Sequence, residues 1–261
     1  MTPKVLYINL DARPDRRDFM ERQLTDAGVD YARFPAVRPT YESLVRKDGE
    51  HHTYFKRARR SVRGAARDRE SFQPFIGMFG CYISHFLVHD MMANEGERDY
   101  IVLEDDCIFT RSKFDRLVHR IESREIPEDW DIVRNCLKSN QAVQGFERSH
   151  RFSLHSGLRN FHDHYGGTFF CMFRGRSRDK IIRLLNTDNV FAIDAVYSTH
   201  MLNSYHTDLG FHHTEQGSDI VKTPMSPTSL SRTAVHLRAK TERAVTKLVK
   251  TRSLRASDRL T

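Results

Sequence analysis

Residues 99–106, DYIVLEDD, decide how this chain is read. Tyr100, Ile101, Val102 and Leu103 form an unbroken apolar run, the pattern of a strand buried on both faces, and Glu104, Asp105 and Asp106 follow at once. Open α/β sheets bind ligands beyond the carboxyl ends of their strands, so the acids stand at the edge where a ligand would sit. Adjacent carboxylates repel one another at neutral pH. The arrangement becomes favourable when a divalent cation and a phosphate chain share the charge, and hard oxygen ligands suit Mn²⁺ or Mg²⁺. If the segment stays extended, alternation lets Glu104 and Asp106 face one cation while Asp105 turns to a ribose or the backbone. Asp106 is then the first metal ligand and Glu104 its companion. The tripeptide alone also fits a strand end running into an acidic, solvated turn.

Working outward, KVLYINL (4–10) reads as a buried strand and RPDRRDFMERQLTDAG (13–28) as the helix after it, with an early proline and a glycine stop. A short strand follows at 31–37. Residues 48–72 lose periodicity and gain charge, which predicts a loop. The segment 75–96 is apolar enough for a buried helix. Another helix is expected at 112–123, strands at 129–135 and 168–174, and a helix at 177–187. This alternation predicts an α/β fold, a mostly parallel sheet flanked by helices.

The chain has 261 residues, with 42 lysines and arginines against 34 acids, a formal charge of +8. That balance favours acidic partners: phosphorylated small molecules, an anionic membrane surface or nucleic acid. The basic residues concentrate at 55–69 and 236–255. Aromatic residues do not interleave with the arginines in an RNA-binding pattern, and no helix-turn-helix or zinc-finger spacing occurs, so nucleic acid is not expected. The four cysteines, Cys81, Cys107, Cys136 and Cys171, lack metal-pair spacing and read as reduced, buried thiols. The opening MTPKVLYINL lacks a secretory leader and no apolar run is long enough to cross a bilayer. The expected place is therefore cytoplasmic, at most peripheral on the membrane. KTPMSPTSLS (222–231) reads as a linker, dividing a domain at 1–221 from a segment at 222–261 with a basic helix suited to anionic headgroups.

Upstream of the acids lie INLDARPDRR (8–17) and GMFGCYISH (77–85). With IVLEDD, these ordered motifs resemble glycosyltransferase family 25, the lipooligosaccharide and procollagen galactosyltransferases. The resemblance is closest through residue 106 and looser to about 220, where DWDIVRNC, YGGTFFCMFRGRS and AIDAVYSTHM match in part; Ala192 stands where the family pattern has proline. It implies a GT-A-like nucleotide-binding fold and transfer of a hexose, commonly galactose from UDP-galactose with inversion, onto a saccharide or glycolipid acceptor. It also implies donor-binding roles for Asn9, Leu10, Arg13, Arg16, Ser84, His85, Asp105, Gly167 and Thr168.

An inverting transfer needs a base for the acceptor hydroxyl, and Asp194, between Ile193 and Ala195, is the first candidate; it also fits the N-cap of a helix starting at Ala195. His212 or His213 is the candidate for a late metal ligand from a C-terminal loop. HFLVH places His85 and His89 one helical turn apart, a zinc-pair spacing, but without the glutamate of H-E-x-x-H it does not support zinc hydrolysis. A metal-dependent nucleotide hydrolase or phosphotransferase remains the competing enzyme class.

Overall fold

The structure is a computed structural model that describes residues 2–62, 67–135, 147–148, 168–186, 193–197, 201–207 and 209–213. Strand β1 (Lys4–Asn9) leads into helix α1 (Pro14–Asp26), which opens on the proline and buries Met20 and Leu24. Gly28, at φ +66°, turns the chain into β2 (Tyr31–Pro35). Helices α2 (Tyr41–Val45), α3 (His52–Val62) and α4 (Arg69–Met92) precede β3 (Tyr100–Glu104) and the short β4 (Cys107–Ile108). Helix α5 (Arg111–Glu122), β5 (Ile132–Asn135), β6 (Glu147–Arg148), β7 (Phe170–Phe173), α6 (Arg178–Leu185), α7 (Ile193–Tyr197), β8 (Ser204–Thr207) and β9 (His212–His213) follow.

The main sheet has seven strands in the order β2-β1-β3-β7-β5-β8-β6. Strands β2, β1, β3, β5 and β8 run one way, and β7 and β6 run against them, so the sheet is mostly parallel. Strand β4 pairs with β9 in a separate two-stranded ribbon. Side chains of β1 and β3 alternate between two cores. Leu6, Ile8, Tyr100 and Val102 pack with α2, α3, α4, α6 and α7, whereas Val5, Tyr7, Ile101 and Leu103 pack with α1 and α5. Burial on both faces explains the unbroken apolar runs. The result is a three-layered α/β body consistent with the GT-A-like expectation.

Two expectations are corrected. The predicted loop at 48–72 contains α3 and the start of α4. Helix α3 buries Phe55 and sets Tyr54 against Tyr82 and Phe86, so its charge density masked an amphipathic helix. The guanidinium of Arg57 lies 5.3 Å from the ring centres of both Tyr54 and Phe86. Helix α4 begins before Pro74 because Asp68 caps it, accepting from Ser71 N at 2.8 Å. The second correction concerns Asp105 and Asp106: they form a turn between β3 and β4, so strict strand alternation ends at Glu104. The linker at 222–231 and the basic segment to 261 lie outside the described residues.

Candidate active site

The carboxyl ends of β1 and β3, the first turn of α1, the segment after β2 and one side of α4 enclose a cleft of about 200 Å³. Glu104, Asp105 and Asp106 all line it, with Leu10, Arg16, Ser84 and His85.

Asp105 is buried and both of its carboxylate oxygens are engaged. Arg16 Nη1 donates to Oδ1 at 2.8 Å and Asn9 Nδ2 to Oδ2 at 2.8 Å. Arg33 Nε in turn donates to Asn9 Oδ1 at 3.1 Å. Asp105 thus fixes Arg16, whose charge faces the cleft. Arg13 takes a different course: its guanidinium pairs with Asp15 at 2.8 Å and its carbonyl accepts from Asn9 Nδ2 at 3.1 Å.

Helix α4 presents two adjacent faces to the site. Gly80 and Ser84, one turn apart, meet the segment after β2. A Cβ on Gly80 would stand 2.6 Å from Val37 O, so only glycine permits this approach. Ser84 Oγ accepts from Val37 N at 2.8 Å and donates to Gly80 O at 2.7 Å. Its hydroxyl holds the cleft wall, which brings Val37, Arg38 and Pro39 to the opening.

Cys81 and His85, also one turn apart, meet Glu104 instead. Cys81 Sγ lies 3.7 Å and His85 Nε2 3.5 Å from Glu104 Oε1, and Thr168 Oγ1 donates to the same oxygen. Burial pushes the Glu104 carboxyl up, but the polar contact and charge of His85, with Thr168 and Cys81, outweigh it and hold the group below the ordinary carboxylate range. Burial, reinforced by the charges of Glu104 and Asp194, pushes the Cys81 thiol well up. Behind His85 runs a buried chain: Nδ1 is 3.1 Å from Tyr197 Oη, which is 2.7 Å from His89 Nε2, whose Nδ1 is 2.6 Å from Tyr100 Oη. Burial, then His85 and Arg178, lower the pKa of His89 far below its usual value, so this ring is neutral. Both ring nitrogens of His89 are committed to tyrosine hydroxyls, and His85 and His89 meet only through the Tyr197 hydroxyl, so the sequence pair does not form a metal pair.

Asp194 lies in the first turn of α7, half-buried, and not at its N-cap. Arg134 Nη1 donates to its carbonyl at 3.3 Å. Asp194 is not among the residues that line the cleft, although its charge helps to push the Cys81 thiol up. β9 pairs Ile108 with His212 and Cys107 with His213, so the C-terminal backbone returns beside the acid turn. The His212 side chain and Gly167 lie outside the described residues.

Residues 2–174 match Glycosyltransferase family 25 (LPS biosynthesis protein). The chain belongs to glycosyltransferase family 25. A glycosyltransferase 25 family member of Aedes aegypti is 26% identical over 131 residues, covering 49% of this chain and 20% of that protein. One from Drosophila melanogaster is 28% identical over 109 residues, covering 41% and 16%. Procollagen galactosyltransferase 1-A of Xenopus laevis is 22% identical over 214 residues, covering 77% of this chain and 32% of that protein. The chain therefore spans a third or less of the length of these relatives.

Sequence reasoning missed Cys81 as a site residue, as well as the wall at Val37–Pro39 and the roles of Tyr197 and His89. The helical spacing of Cys81 and His85 was a usable signal; the position of Val37 was not, because it depends on how closely α4 approaches β2. Among the described residues no helix is long and apolar enough to cross a membrane.

Proposed function

We propose that this family 25 chain transfers a hexose, in first place galactose from UDP-galactose, onto a saccharide or glycolipid acceptor, with the donor pyrophosphate bound in the cleft between β1, β3 and α4. One observation carries the reading. The cleft, at the carboxyl ends of the parallel strands β1 and β3, juxtaposes a fixed cation, Arg16, with the three carboxylates that end β3 and follow it, a setting made for a phosphate chain and its counter-ion.

The donor set fits a hard divalent cation. Asp105 is saturated by Arg16 and Asn9, which leaves Glu104 and Asp106 as the cleft acids to hold Mn²⁺ or Mg²⁺, with His212 as a further candidate. When bound, such an ion neutralises charge that develops on the leaving pyrophosphate. Arg16 adds a charge-assisted contact to the phosphates, and Asp105 and Asn9 keep it aimed there. Ser84 holds the wall over the nucleotide. Asp194 takes the acceptor hydroxyl proton as the acceptor oxygen bonds to the anomeric carbon; the bond from that carbon to the phosphate oxygen breaks, and its electron pair leaves with the nucleoside diphosphate. Attack from the opposite face inverts that carbon. Arg13 and Thr168 have the more peripheral parts: Thr168 acts through Glu104, and Arg13 through the start of α1. The basic charge suits an acceptor held at an anionic membrane surface, with the chain peripheral on the cytoplasmic face.

Thermal-shift measurements with UDP, GDP, CMP and short RNA, each with Mn²⁺ or EDTA, test this reading. Manganese-dependent stabilisation by UDP is expected, about 2.7 kcal/mol at a hundred times Kd. Stabilisation by RNA without metal, and by no nucleotide, overturns it. Product analysis after incubation with a UDP-sugar panel identifies the hexose, and release of free sugar without transfer points to the hydrolase.

A further inference from the structure

We propose that Cys81 Sγ, His85 Nε2 and Glu104 Oε1 form a site for a borderline-soft divalent cation of the zinc class, separate in chemistry from the hard cation of the donor. These donor atoms, on adjacent turns of α4 and at the end of β3, lie within 4.8 Å of one another. They form the one such group of three metal-ligating side chains among the described residues.

The spacing suits the ion. Tetrahedral Zn²⁺ with bonds of about 2.0–2.3 Å spaces its ligands about 3.3–3.6 Å apart. The observed separations from Glu104 Oε1, 3.7 Å to sulfur and 3.5 Å to nitrogen, depart from this by only a few tenths of an ångström. A sulfur, an imidazole nitrogen and a single carboxylate oxygen select zinc over magnesium or manganese. All three residues line the cleft, which supplies the open fourth position of a zinc site.

A second observation points to a ligand. His85 is 1% exposed, and its Nε2 makes no hydrogen bond although it is aimed at Glu104. The chain behind it allows that nitrogen to be bare. The Tyr197 hydroxyl has one proton, so it donates to one histidine and accepts from the other. In one arrangement Tyr100 donates to His89 Nδ1, His89 Nε2 to Tyr197, Tyr197 to His85 Nδ1, and His85 Nε2 carries its proton toward Glu104. In the reverse arrangement His85 Nδ1 donates to Tyr197, Tyr197 to His89 Nε2, and His89 Nδ1 to Tyr100. Only the second presents a lone pair from His85 Nε2. Tyr197 and Thr168 thus orient two of the ligands from behind, as the outer partners of metal sites do. Binding expels the Cys81 thiol proton to solvent, and the thiolate takes its place on the metal. On the reading given under Proposed function, occupancy engages Glu104 and makes zinc a reversible inhibitor.

Cobalt titration of the metal-free full chain tests the site without any donor or acceptor. Co²⁺ should produce a thiolate-to-metal charge-transfer band and the intense visible bands of a tetrahedral ion, and Zn²⁺ should bleach both. Cys81→Ser should remove the charge-transfer band, His85→Gln should weaken cobalt binding at least tenfold, and Tyr197→Phe should weaken it about tenfold. In the wild type, zinc should protect Cys81 from alkylation, read by peptide mass spectrometry, which keeps the proposal testable if a variant fails to fold. Absence of the band in folded wild type, its survival in Cys81→Ser, or unprotected Cys81 overturns the site. A cobalt band in a chain that transfers no sugar sinks only the functional reading.

Discussion

Asp131 and the Glu104–Asp106 triplet stand at opposite ends of one sheet, Asp131 just before β5 and the triplet at the end of β3. Both ends bury carboxylates, yet their surroundings differ. Asp131 accepts from Ser177 Oγ at 2.6 Å, Lys180 Nζ at 2.5 Å and Asn203 N at 2.8 Å, which ties α6 and the segment before β8 to the sheet. The triplet instead faces a cleft, and only Asp105 has both oxygens engaged by protein partners at hydrogen-bonding distance in the same way. Burial alone therefore does not mark an acid as functional; an acid at the ligand-binding end with an oxygen turned to a cavity does.

The sharpest way to break this contrast is Asp106→Asn. It should lower donor turnover by about 10²–10³-fold, or roughly 2.7–4 kcal/mol of transition-state stabilisation, while the unfolding midpoint stays in place. Retained turnover removes Asp106 from the cation site.

Asp131→Ala should do the reverse. The Asn203 amide and Ser177 hydroxyl lose their acceptor, but Lys180, 40% exposed, returns readily to water. A loss of about 2–3 kcal/mol is expected, which lowers Tm by roughly 5–10 °C. Turnover per folded molecule should not change. Burial pushes the Asp131 carboxyl up, but the hydrogen bonds from Lys180, Ser177 and Asn203 and the charge of Lys180 outweigh it and hold the group below its ordinary value. The unfolded chain thus binds its proton at higher pH than the folded one. The stabilisation is full above the ordinary carboxylate range and fades as pH falls through the folded-state value. Denaturant titrations across that acid limb should be flatter for Asp131→Asn.

A smaller effect tests the faces of α4. Gly80→Ala places a methyl 2.6 Å from Val37 O and 3.2 Å from Pro39 Cδ. Backbone oxygen cannot yield as a side chain does, so a cost of about 1–3 kcal/mol is expected in urea unfolding, together with weaker donor binding as the wall moves. An unchanged midpoint would show that the helix can slide away from the wall at no cost.

The contrast also explains what the sequence disclosed. Strands β1 and β3 were legible because both faces are buried, and α1 because proline and glycine bracket it. Helix α3 was hidden, since a helix that buries Phe55 and partly buries Tyr54 beside Lys56 and Arg57 has the composition of a loop. The order β3-β7-β5, with β7 reversed between parallel neighbours, depends on long-range pairing that no local pattern encodes. At the site, the acids and GMFGCYISH were found together, but their division of labour was not. Four residues one turn apart in pairs, Gly80 with Ser84 and Cys81 with His85, read as one motif in the sequence and separate into a packing face and a chemical face only when α4 is placed.

Ser84→Ala is the mildest probe of that separation. Its hydroxyl is the acceptor for Val37 N, and alanine would leave this part-buried donor to water entering from the cleft. Because the cleft is open, that water replaces much of the lost bond, and a stability loss of about 1 kcal/mol is expected, the low end for a donor deprived of its partner. The consequence for function is different in kind. Val37–Pro39 form the wall opposite the acids, so a loosened wall should raise KM for the donor several-fold while kcat stays near wild type, since Arg16, Asp105 and Asp106 are untouched. If kcat falls in parallel with kcat/KM instead, Ser84 touches the reacting part of the donor, and the packing face of α4 is also a chemical one.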